Sequence, residues 1–548
     1  MELKIVIIGG VAGGMSAATR ARRMNEQASI IVLEKSGYVS FANCGLPYFI
    51  SGQIKDEASL FLTTPERVAQ RYRIDARVHH EVTRIDRQVH VVEGVNHKTG
   101  QTFSLPYDKL ILAPGASPII PNVSGIDAAN VFVLRNVEDA QKMQRYIGGA
   151  QPKRAVVVGA GFIGLEMVEA LHARGLKVTV VEKAPHALAA LDTQLSGWIE
   201  QEMQQHGVAV RMGTGLLALD VAEGSVQALH TDQGERIETD LVVLAMGVRP
   251  LTKLAQTAGV NLGRSGGIEV DKALRTSDPD IYAVGDATEV TQGVADFATR
   301  IPLAGAANRH GRLAGEHAAT GHAKSAAKVL GTAVVRIFGL DVAMTGLGYA
   351  AAKKLGYDAD TVIIHPNDHA AYYPGAQRMH LQLVYDRANG RVLGAQALGA
   401  SGVDKRIDVV ATLLHFHGTI EDLAELDLCY APQFSGAKDP VHYAAFVAQN
   451  QQLELSPGVD APTPEARLVD VRSPQEFALG SLEGAVNIPL DDLRARHQEL
   501  DSQKPTVVYC EVGLRGHVAT RILKQLGFQD VRNLKGGYVQ ARERLSVM

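Results

Sequence analysis

Three features that would place a protein in a membrane, in an oxidising compartment or on nucleic acid are missing from this sequence. No apolar run approaches the roughly 18 residues that a membrane-spanning helix needs. Only three cysteines occur in 548 residues, and Cys44, Cys429 and Cys510 are too few and too far apart for a disulfide framework. The net charge of -4 lacks the basic excess of a general nucleic-acid or membrane-surface binder.

The start of the chain and its cysteine usage favour a cytoplasmic protein. An apolar strand at residues 4–8 begins almost at once, without the charged and apolar regions of a signal peptide. No C-x-x-C pair of the kind that binds metals is present, so we expect an important cysteine to act chemically. A reducing cytoplasm is therefore predicted.

Two strand–glycine–helix units organise the first half of the chain. The first has a strand at 5–8, Gly-Gly-Val-Ala-Gly-Gly at 9–14, a helix, and a second strand that ends at Glu34. The second has a strand at 155–158, Gly-Ala-Gly-Phe-Ile-Gly at 159–164, a helix, and a strand that ends at Glu182. An acid about 20 residues after the glycines is typical of dinucleotide-binding βαβ units.

The residue types in these units suit a dinucleotide. Glycine lets the backbone approach a pyrophosphate, the helix N-terminus attracts it, and the glutamate can accept the ribose hydroxyls. Tight turns of an ordinary α/β fold are the other interpretation, and Val11 departs from the usual second glycine. Asp286 supports the first site, because it ends the strand-like run Asp-Ile-Tyr-Ala-Val-Gly-Asp at 280–286, where its carboxylate could hold a polyol.

The sequence changes character twice in its second half. Its length alone suggests three or four domains. Strand-rich sequence follows residue 328, with helical stretches near 404–417 and 441–448. A polar, proline-broken linker at 448–465 precedes a last compact unit at 466–548.

Across essentially its whole length the chain resembles a known enzyme family. The motifs that carry the resemblance include Ser-Phe-Ala-Asn-Cys-Gly-Leu-Pro-Tyr at 40–48, Leu-Ile-Leu-Ala-Pro-Gly at 110–115, Ala-Met-Gly-Val-Arg-Pro at 245–250 and Asp-Leu-Cys-Tyr-Ala-Pro at 427–432, besides both glycine loops. They are similar to the flavin-dependent pyridine-nucleotide disulfide oxidoreductases. Within that family they most resemble coenzyme A-disulfide reductases, or NADH-dependent persulfide reductases, fused to a rhodanese domain, where Val11 is usual.

The resemblance implies an α/β fold with two Rossmann-like nucleotide-binding domains, an α+β dimerisation domain and a C-terminal α/β rhodanese domain. The FAD-binding domain would comprise residues 1–150 and 249–328, the NAD(P)H-binding domain 151–248, the dimerisation domain 329–447 and the rhodanese domain 466–548. A homodimer is implied. FAD would be contacted by Gly9, Gly14, Glu34 and Asp286. NADH, with NADPH as the alternative, would be contacted by Gly159, Gly161, Gly164 and Glu182.

Cys44 starts a stretch with helical character, residues 44–50. A helix N-terminus favours the thiolate, the form that attacks disulfides, although a buried structural cysteine is the other interpretation. The C-x-x-x-x-C pair of the glutathione-reductase branch is absent, because Phe49 and Val39 occupy the positions that could pair with Cys44. The C-terminal histidine base of that branch is absent as well. The second sulfur must then come from a small thiol, which points to a mixed disulfide of Cys44 with coenzyme A.

The resemblance also implies a proton donor and a substrate pocket. Tyr430 and Tyr372 of the partner subunit would protonate the departing thiolate, with the neighbouring Tyr373 as the other choice and a core or interface aromatic as the other role. A basic patch on the first helix would bind coenzyme A phosphates, unless it is only a solvated helix face. The predicted coenzyme A contacts are Arg20, Arg22, Arg23, Ser40 and Asn43.

The last unit resembles a rhodanese domain, with Ser481 where the family usually has histidine. Cys510 follows a strand and is separated from Arg515 by four residues, one fewer than in related phosphatases, so the loop suits sulfur better than phosphate. Its backbone N–H groups can converge on the Cys510 sulfur and stabilise a thiolate or persulfide. We expect Glu511 to repel a dianion such as thiosulfate and to favour a persulfide or polysulfide donor.

The predicted function is FAD-dependent reduction of coenzyme A disulfide, coenzyme A persulfide or polysulfide by NAD(P)H, with sulfur transfer by the rhodanese domain. Small thiols, disulfides and persulfides would be the partners, without nucleic acid or membrane. One alternative is an NADH oxidase or peroxidase, in which Cys44 cycles through a sulfenic acid. Another is a redox-sensing or sulfur-carrying flavoprotein with negligible turnover.

Overall fold

The structure is a computed structural model that describes residues 2–547. Its strands, in chain order, are β1 (Lys4–Ile8), β2 (Ser29–Leu33), β3 (Asp75–Arg77), β4 (His80–Asp86), β5 (Val91–Asn96), β6 (Thr102–Pro106), β7 (Lys109–Leu112), β8 (Ala116–Pro118), β9 (Val131–Phe132), β10 (Arg154–Val158), β11 (Lys177–Val181), β12 (Ala209–Arg211), β13 (Leu216–Ala222), β14 (Ser225–Thr231), β15 (Arg236–Glu238), β16 (Leu241–Leu244), β17 (Val248–Pro250), β18 (Ile281–Ala283), β19 (Val290–Thr291), β20 (Ala298–Thr299), β21 (Ala333–Ile337), β22 (Leu340–Gly346), β23 (Ala359–Ile364), β24 (His380–Asp386), β25 (Val392–Gly399), β26 (Gly458–Val459), β27 (Arg467–Asp470), β28 (Val486–Asn487), β29 (Thr506–Tyr509) and β30 (Val531–Leu534).

The helices, in chain order, are α1 (Ala12–Met24), α2 (Leu46–Ser51), α3 (Pro65–Tyr72), α4 (Val137–Ala150), α5 (Phe162–Ala173), α6 (Thr193–Gln205), α7 (Lys253–Thr257), α8 (Ala304–Thr320), α9 (Tyr349–Lys354), α10 (Val403–His415), α11 (Ile420–Ala424), α12 (Pro440–Gln452), α13 (Pro474–Ala478), α14 (Leu493–Arg496), α15 (Leu514–Gln525) and α16 (Gly537–Val547). Short 3-10 turns lie at Asn43–Gly45, Glu57–Leu60, Gly285–Ala287 and His497–Glu499. None of the helices described in residues 2–547 is both long and apolar enough to cross a membrane.

Two parallel sheets carry the two glycine loops. The first has the order β18-β7-β1-β2-β3 and the second the order β12-β11-β10-β16-β9. Their central strands β1 and β10 are almost continuously apolar and buried, because both faces of each sheet are covered. Helices α1 and α8 cover one face of the first sheet, and the three-stranded sheet β4-β5-β6 covers the other. The sheet β13-β14-β15 covers one face of the second sheet. Strand β18 returns to the first sheet after all strands of the second sheet, so the second sheet is formed by residues that lie between strands of the first.

The second domain starts earlier than residue 151. Strand β9 is the edge of the second sheet and pairs in parallel with β16, although it lies within the predicted range 1–150. The chain crosses between the two sheets through an antiparallel pair, β8 with β17. Neither the β9–β16 pairing nor the β8–β17 pairing could be predicted from the sequence, because β9 has only two residues and β8 only three.

The strand-rich region forms one antiparallel sheet with the order β21-β22-β25-β24-β23, backed by α10 and α12. The last region forms a parallel sheet with the order β26-β30-β29-β27-β28, whose core includes Val469, Val508 and Leu523. These two sheets are the expected α+β and α/β folds, and the predicted fold class is confirmed.

The segment 448–465 is not a free connector. Helix α12 continues to Gln452, and β26 at Gly458–Val459 pairs with β30 as part of the last sheet. Two compact units are formed in the structure. One contains the chain up to Pro185 with Gly207–Gly331, and the other contains His186–His206 with the chain from Thr332 onward. The last domain therefore shares a compact unit with the strand-rich domain.

Candidate functional site

The two glycine loops have nearly the same geometry. Gly9 and Gly159 have positive φ values of 102° and 110°. A Cβ at Gly14 would collide with the carbonyl oxygen of Gly9, and a Cβ at Gly164 with that of Gly159, so helix and strand approach too closely for any side chain. Gly161 faces open space at the N-terminus of α5. That space is where unpaired N–H groups can meet a pyrophosphate.

The two predicted acids lie against these loops in matching positions. Glu34 Oε2 accepts a hydrogen bond from the Gly10 N–H at 2.7 Å. Glu182 Oε2 accepts one from the Ala160 N–H at 2.6 Å. Each carboxylate oxygen has further lone pairs that can accept ribose hydroxyls. Both units therefore fit a dinucleotide with its ribose on the glutamate.

Asp286 lies in the short 3-10 turn that follows β18, at the carboxyl end of the first sheet. Burial raises the pKa of Asp286, and the Arg135 guanidinium partly offsets that effect. A half-buried carboxylate at this edge suits a polyol, since ligands of open α/β sheets bind beyond the carboxyl ends of the strands.

A cavity of about 570 Å³ opens beside Cys44. Its lining comes from α1, the 40–44 motif, α3 and α8, and includes Ser40, Asn43 and Cys44. The Ser40 N–H donates to the Gly10 carbonyl at 2.8 Å, which joins the cysteine motif to the first glycine loop. The structure thus brings three predicted site residues together in one cavity.

The Cys44 thiol is not activated in the way we expected. Cys44 lies in the 3-10 turn Asn43–Gly45, and the helix that follows, α2, has only six residues. Burial raises the pKa of the Cys44 thiol, and the charges of Glu166 and Asp286 raise it further. Burial opposes the thiolate most strongly and the two carboxylates add to it, whereas the end of a short helix favours it.

Glu166 lies on α5 and reaches back to the residues after Cys44. The Tyr48 hydroxyl donates to Glu166 Oε1 at 3.3 Å, so α2 is held against the second nucleotide unit. Burial raises the pKa of Glu166 to about 6, and burial together with Glu166 raises the pKa of Tyr48 to about 12. No local sequence pattern points to this pair, because the two residues lie 118 positions apart.

The predicted tyrosines meet in the second compact unit. Tyr372 lies in the loop between β23 and β24, and its hydroxyl is 2.9 Å from the Tyr430 hydroxyl. Tyr372 and Tyr430 are 75% and 47% exposed, so both hydroxyls are accessible. Tyr373 instead turns towards the ring of His369. The structure therefore pairs Tyr372, not Tyr373, with Tyr430.

Arg406 on α10 holds the two backbone segments that carry these tyrosines. It is only 1% exposed, and its Nη2 donates to the Asp368 carbonyl at 2.8 Å and to the Phe434 carbonyl at 3.4 Å. The Asp439 carboxylate neutralises it at 3.0 Å. A buried, fully paired guanidinium of this kind fixes the distance between two loops.

Cys510 directly follows β29 and is 1% exposed. Its Sγ accepts a hydrogen bond from the Gly513 N–H at 3.1 Å, at the N-terminus of α15. Arg515 forms a two-point ion pair with Glu476, at 2.6 and 2.7 Å, which lowers the pKa of Glu476 to about 2. One N–H of the loop therefore points at the sulfur, and the Arg515 guanidinium is held by Glu476.

The negative charge of Glu511 lies close to two arginine side chains. Its Oε2 is 3.2 Å from Arg472, and its Oε1 is 3.9 Å from Arg378. Two arginines from distant parts of the sequence therefore offset its charge. The expected repulsion of a dianionic sulfur donor rested on Glu511 alone, and the structure weakens that expectation.

Comparisons with known proteins agree with this arrangement. A family described as "Pyridine nucleotide-disulphide oxidoreductase" matches residues 3–311, and its dimerisation domain matches 332–440. A family described as "Rhodanese-like domain" matches 454–543. The chain belongs to the pyridine nucleotide-disulphide oxidoreductase family.

Members of the pyridine nucleotide-disulphide oxidoreductase family resemble this chain at high coverage. A protein named coenzyme A disulfide reductase from Staphylococcus haemolyticus is 32% identical over 447 residues, which are 82% of this chain and 99% of that protein. The crystal structure of reduced Bacillus anthracis CoADR-RHD matches with TM-score 0.95 and 40% identity over 100% of this chain and 99% of that one. A NAD-dependent persulfide reductase from A. fulgidus matches with TM-score 0.93 and 37% identity, covering 98% and 100%.

The predicted basic patch does not line the cavity of this oxidoreductase. Arg22 is buried, and its guanidinium donates to four backbone carbonyls, those of Asn25, Glu26, Tyr72 and Arg73. Arg20 forms an ion pair with Glu316 at 2.5 Å, and Arg23 is exposed outside the lining. The sequence placed all three on one helix, but could not show which way each side chain points.

Two arginines that sequence reasoning missed do line the cavity. Arg67 and Arg71 lie four residues apart on α3, so they share one face of the helix. The helix begins at Pro65 after the Thr64 cap, whose side chain accepts the Arg67 N–H. That start signal, followed by arginines four residues apart, could have identified them.

The second glycine loop predicts a preference between the two nicotinamide cofactors. Glu182 should accept the ribose hydroxyls of NADH and repel the extra phosphate of NADPH, while the neighbouring Lys183 softens the effect. We expect kcat/KM for NADH to exceed that for NADPH about tenfold, or about 1.4 kcal/mol. Steady-state kinetics with both cofactors measure the ratio. Equal values would show that Glu182 does not contact the ribose.

Proposed function

We propose that the protein is an FAD-dependent enzyme that uses NADH to reduce coenzyme A disulfide or coenzyme A persulfide through Cys44. The observation that carries this proposal is the cavity beside Cys44. Cys44 is the only cysteine in its lining, so the second sulfur must come from a small thiol compound. Arg67 and Arg71 give the cavity a positive end that suits the phosphates of coenzyme A. The names of the relatives agree with this substrate class.

Each nucleotide unit has its own proposed cofactor. FAD would be held by Gly9, Gly14, Glu34 and Asp286, and NADH by Gly159, Gly161, Gly164 and Glu182. FAD, when bound, supplies the electron relay between the NADH hydride and the sulfur of the substrate. The protein provides the cradles: close glycine turns, helix N-termini that face the phosphates, and carboxylates for the polyol and the ribose.

Cys44 would act as the nucleophile. Its thiolate attacks a coenzyme A sulfur of the substrate and forms a mixed disulfide with coenzyme A. The other sulfur leaves as coenzyme A thiolate from the disulfide, or as hydrosulfide from the persulfide. That leaving thiolate takes a proton from the Tyr430 hydroxyl, while the Tyr372 hydroxyl at 2.9 Å supports the exchange. We propose that both tyrosines come from the partner subunit of a homodimer.

Some of the basic and polar residues near Cys44 line the cavity, and others do not. Ser40, Asn43, Arg67 and Arg71 line the cavity and would contact coenzyme A. Arg23 lies exposed on the neighbouring helix α1, where it would contribute long-range attraction for the phosphates, whereas the charge of Arg20 is paired with Glu316. The Arg22 guanidinium donates its hydrogen bonds to backbone carbonyls, so we do not propose Arg22 as a ligand of coenzyme A.

The rhodanese domain would handle sulfane sulfur. Cys510 would carry a persulfide, whose charge the loop N–H groups and Arg515 stabilise. The 3.1 Å hydrogen bond from the Gly513 N–H to Cys510 Sγ supports this role. A coenzyme A thiol is a suitable carrier of sulfur between Cys510 and Cys44.

A substrate panel tests the proposal. NADH oxidation is followed with coenzyme A disulfide, coenzyme A persulfide, polysulfide, glutathione disulfide and dissolved oxygen as separate acceptors. We expect kcat/KM for the coenzyme A compounds to exceed that for glutathione disulfide at least about a hundredfold, because only they reach the arginines. Fast oxygen consumption without a sulfur substrate would show an NADH oxidase instead. Stoichiometric oxidation of NADH without turnover would show a redox sensor or sulfur carrier.

A further inference from the structure

The loop that carries Tyr372 is closed at its base by two histidines. His365 directly follows β23 and His380 begins β24, so they bracket residues 366–379, here called the Tyr372 segment. Their Nδ1 atoms are 2.8 Å apart, and Trp198 stacks on His380 with ring centroids 4.0 Å apart. Burial lowers the pKa of His380 to about 4 and that of His365 well below its usual value. Both rings are neutral near pH 7, so one donates its proton to the other.

Backbone hydrogen bonds continue this closure along the Tyr372 segment. The Met379 N–H donates to the Pro366 carbonyl at 2.7 Å, and the Asp368 N–H donates to the Gln377 carbonyl at 2.9 Å. The segment therefore behaves as one small ladder. A displacement at its base or along its side moves the Tyr372 hydroxyl at its tip.

The rhodanese domain packs on the base of this ladder. A Cβ at Gly536 would lie 2.8 Å from His365 Nε2, so a bare glycine backbone covers the imidazole. The preceding Lys535 is buried, and its ammonium lies 2.6 Å from Asp360 on β23. Charged side chains are rarely this buried unless paired, so this contact is a specific one.

The same turn supports the rhodanese cysteine loop. The Tyr538 N–H donates to the Cys510 carbonyl at 2.8 Å, and the Val539 N–H donates to the Glu511 carbonyl at 3.0 Å. Residues 535–539 thus touch the base of the Tyr372 segment on one side and the sulfur-binding loop on the other. One rigid turn connects the two chemical centres of this compact unit.

A side-chain contact connects them a second time. Arg378 belongs to the Tyr372 segment and forms a β-bridge with Asn367. Its guanidinium forms an ion pair at 3.9 Å with Glu511, which follows Cys510 in the rhodanese loop. Arg472 holds the other oxygen of Glu511 at 3.2 Å, so the carboxylate has a fixed direction. The Glu511 side chain therefore contacts Arg472 of the rhodanese domain with one oxygen and Arg378 of the Tyr372 segment with the other.

We propose that the rhodanese domain positions the tyrosine pair of the reductase reaction. Arg378 and Glu511 are positioning residues for Tyr372, the tyrosine that supports the proton donor Tyr430. This inference rests on the proposed role of Tyr372 in the reduction. The fused domain then serves two purposes, since it handles sulfur at Cys510 and holds the Tyr372 segment in register with Tyr430. A change at Glu511 would therefore reach the reductase through its contact with Arg378.

The test uses the full-length holoenzyme with NADH and saturating coenzyme A disulfide. Arg378→Gln and Glu511→Gln should each lower kcat about fivefold, or about 1 kcal/mol, with KM for NADH unchanged. The double variant should fall no further than either single variant, because both remove one contact. Arg378→Lys, which keeps the charge, should recover part of the rate. Arg496→Gln and Glu499→Gln are matched controls, since each breaks an exposed rhodanese ion pair that involves neither the Tyr372 segment, nor the Cys510 loop, nor the turn at 535–539.

A pH profile separates positioning from a purely structural effect. The hydrogen bond with Tyr430 raises the pKa of Tyr372. If Arg378→Gln frees the segment, this bond loosens, the Tyr372 pKa falls, and the alkaline limb of kcat moves to lower pH.

The possible outcomes separate this inference from the proposed function. Equal losses in the two controls, additive losses in the double variant, or an unmoved alkaline limb would overturn the inference. An inactive wild type with coenzyme A disulfide would overturn the proposed function itself, and the inference with it. An active wild type with unaffected variants would overturn the inference alone.

Discussion

Replacing Cys44 with serine should abolish the reduction of every sulfur substrate while FAD stays bound and still accepts hydride from NADH. Serine has nearly the same size but cannot form a mixed disulfide. The glycine turns and the carboxylates Glu34 and Asp286, which we propose as FAD contacts, lie elsewhere and should be undisturbed. Flavin absorbance measures cofactor content, anaerobic NADH titration measures hydride acceptance, and turnover with coenzyme A disulfide measures sulfur reduction.

Cys429→Ser is the matched control for this experiment. Cys429 is exposed and lies outside the cavity lining, so its replacement should leave turnover close to that of the wild type. If Cys44→Ser kept more than a few per cent of wild-type turnover, another group would be the nucleophile. If it lost its flavin, the cavity and the flavin cradle would be more tightly connected than the structure indicates.

Replacing Cys510 with serine should separate the two chemistries of the chain. NADH-driven reduction of small, diffusible coenzyme A disulfide should remain nearly unchanged. Sulfur transfer to an acceptor thiol or to cyanide should vanish, because serine cannot hold a persulfide. The Cys510 backbone, which accepts the Tyr538 N–H, is kept in this variant, so the supporting turn should stay in place. Bulky persulfide donors should lose an intermediate share of their reduction rate, since they would need Cys510 to relay the sulfur.

Two assays on the same variant decide the outcome. The reductase assay uses coenzyme A disulfide, and the transferase assay uses a sulfane donor with cyanide. Loss of both activities with the fold intact would place Cys510 in the reductive cycle itself. No change in either would show that the domain binds sulfur compounds without catalysing transfer.

The parts of this protein that short motifs specify were predicted well. Both glycine loops are followed by the expected acids, and Glu34 and Glu182 accept backbone N–H groups of those loops in matching positions. The fold class was also predicted from local motifs, since the strands, glycine loop and acid of each βαβ unit lie close together in the sequence. The loop that begins at Cys510 also closes on its own sulfur, because its donor lies three residues away.

Features that depend on side-chain direction were predicted less well. The arginines of α1 were expected in the substrate pocket, yet Arg22 turns inward to backbone carbonyls and Arg20 to Glu316. Thiolate formation at Cys44 was expected from a helix end. The nearby carboxylate of Glu166, which raises the thiol pKa, belongs to another domain of the sequence.

Local sequence alone determined three features of this chain: two glycine loops that are each followed by an acid, a Cys44 motif without a second cysteine, and a cysteine loop of the rhodanese type. These features need only neighbouring residues, because backbone conformation and helix ends act over a few positions. Tertiary structure decided which side chains work together. It brought Arg67 and Arg71 to the cavity and Tyr372 rather than Tyr373 to Tyr430. It also set Arg378 against Glu511, 133 positions later in the chain. Contacts of this kind arise from the packing of whole elements, which no local pattern encodes.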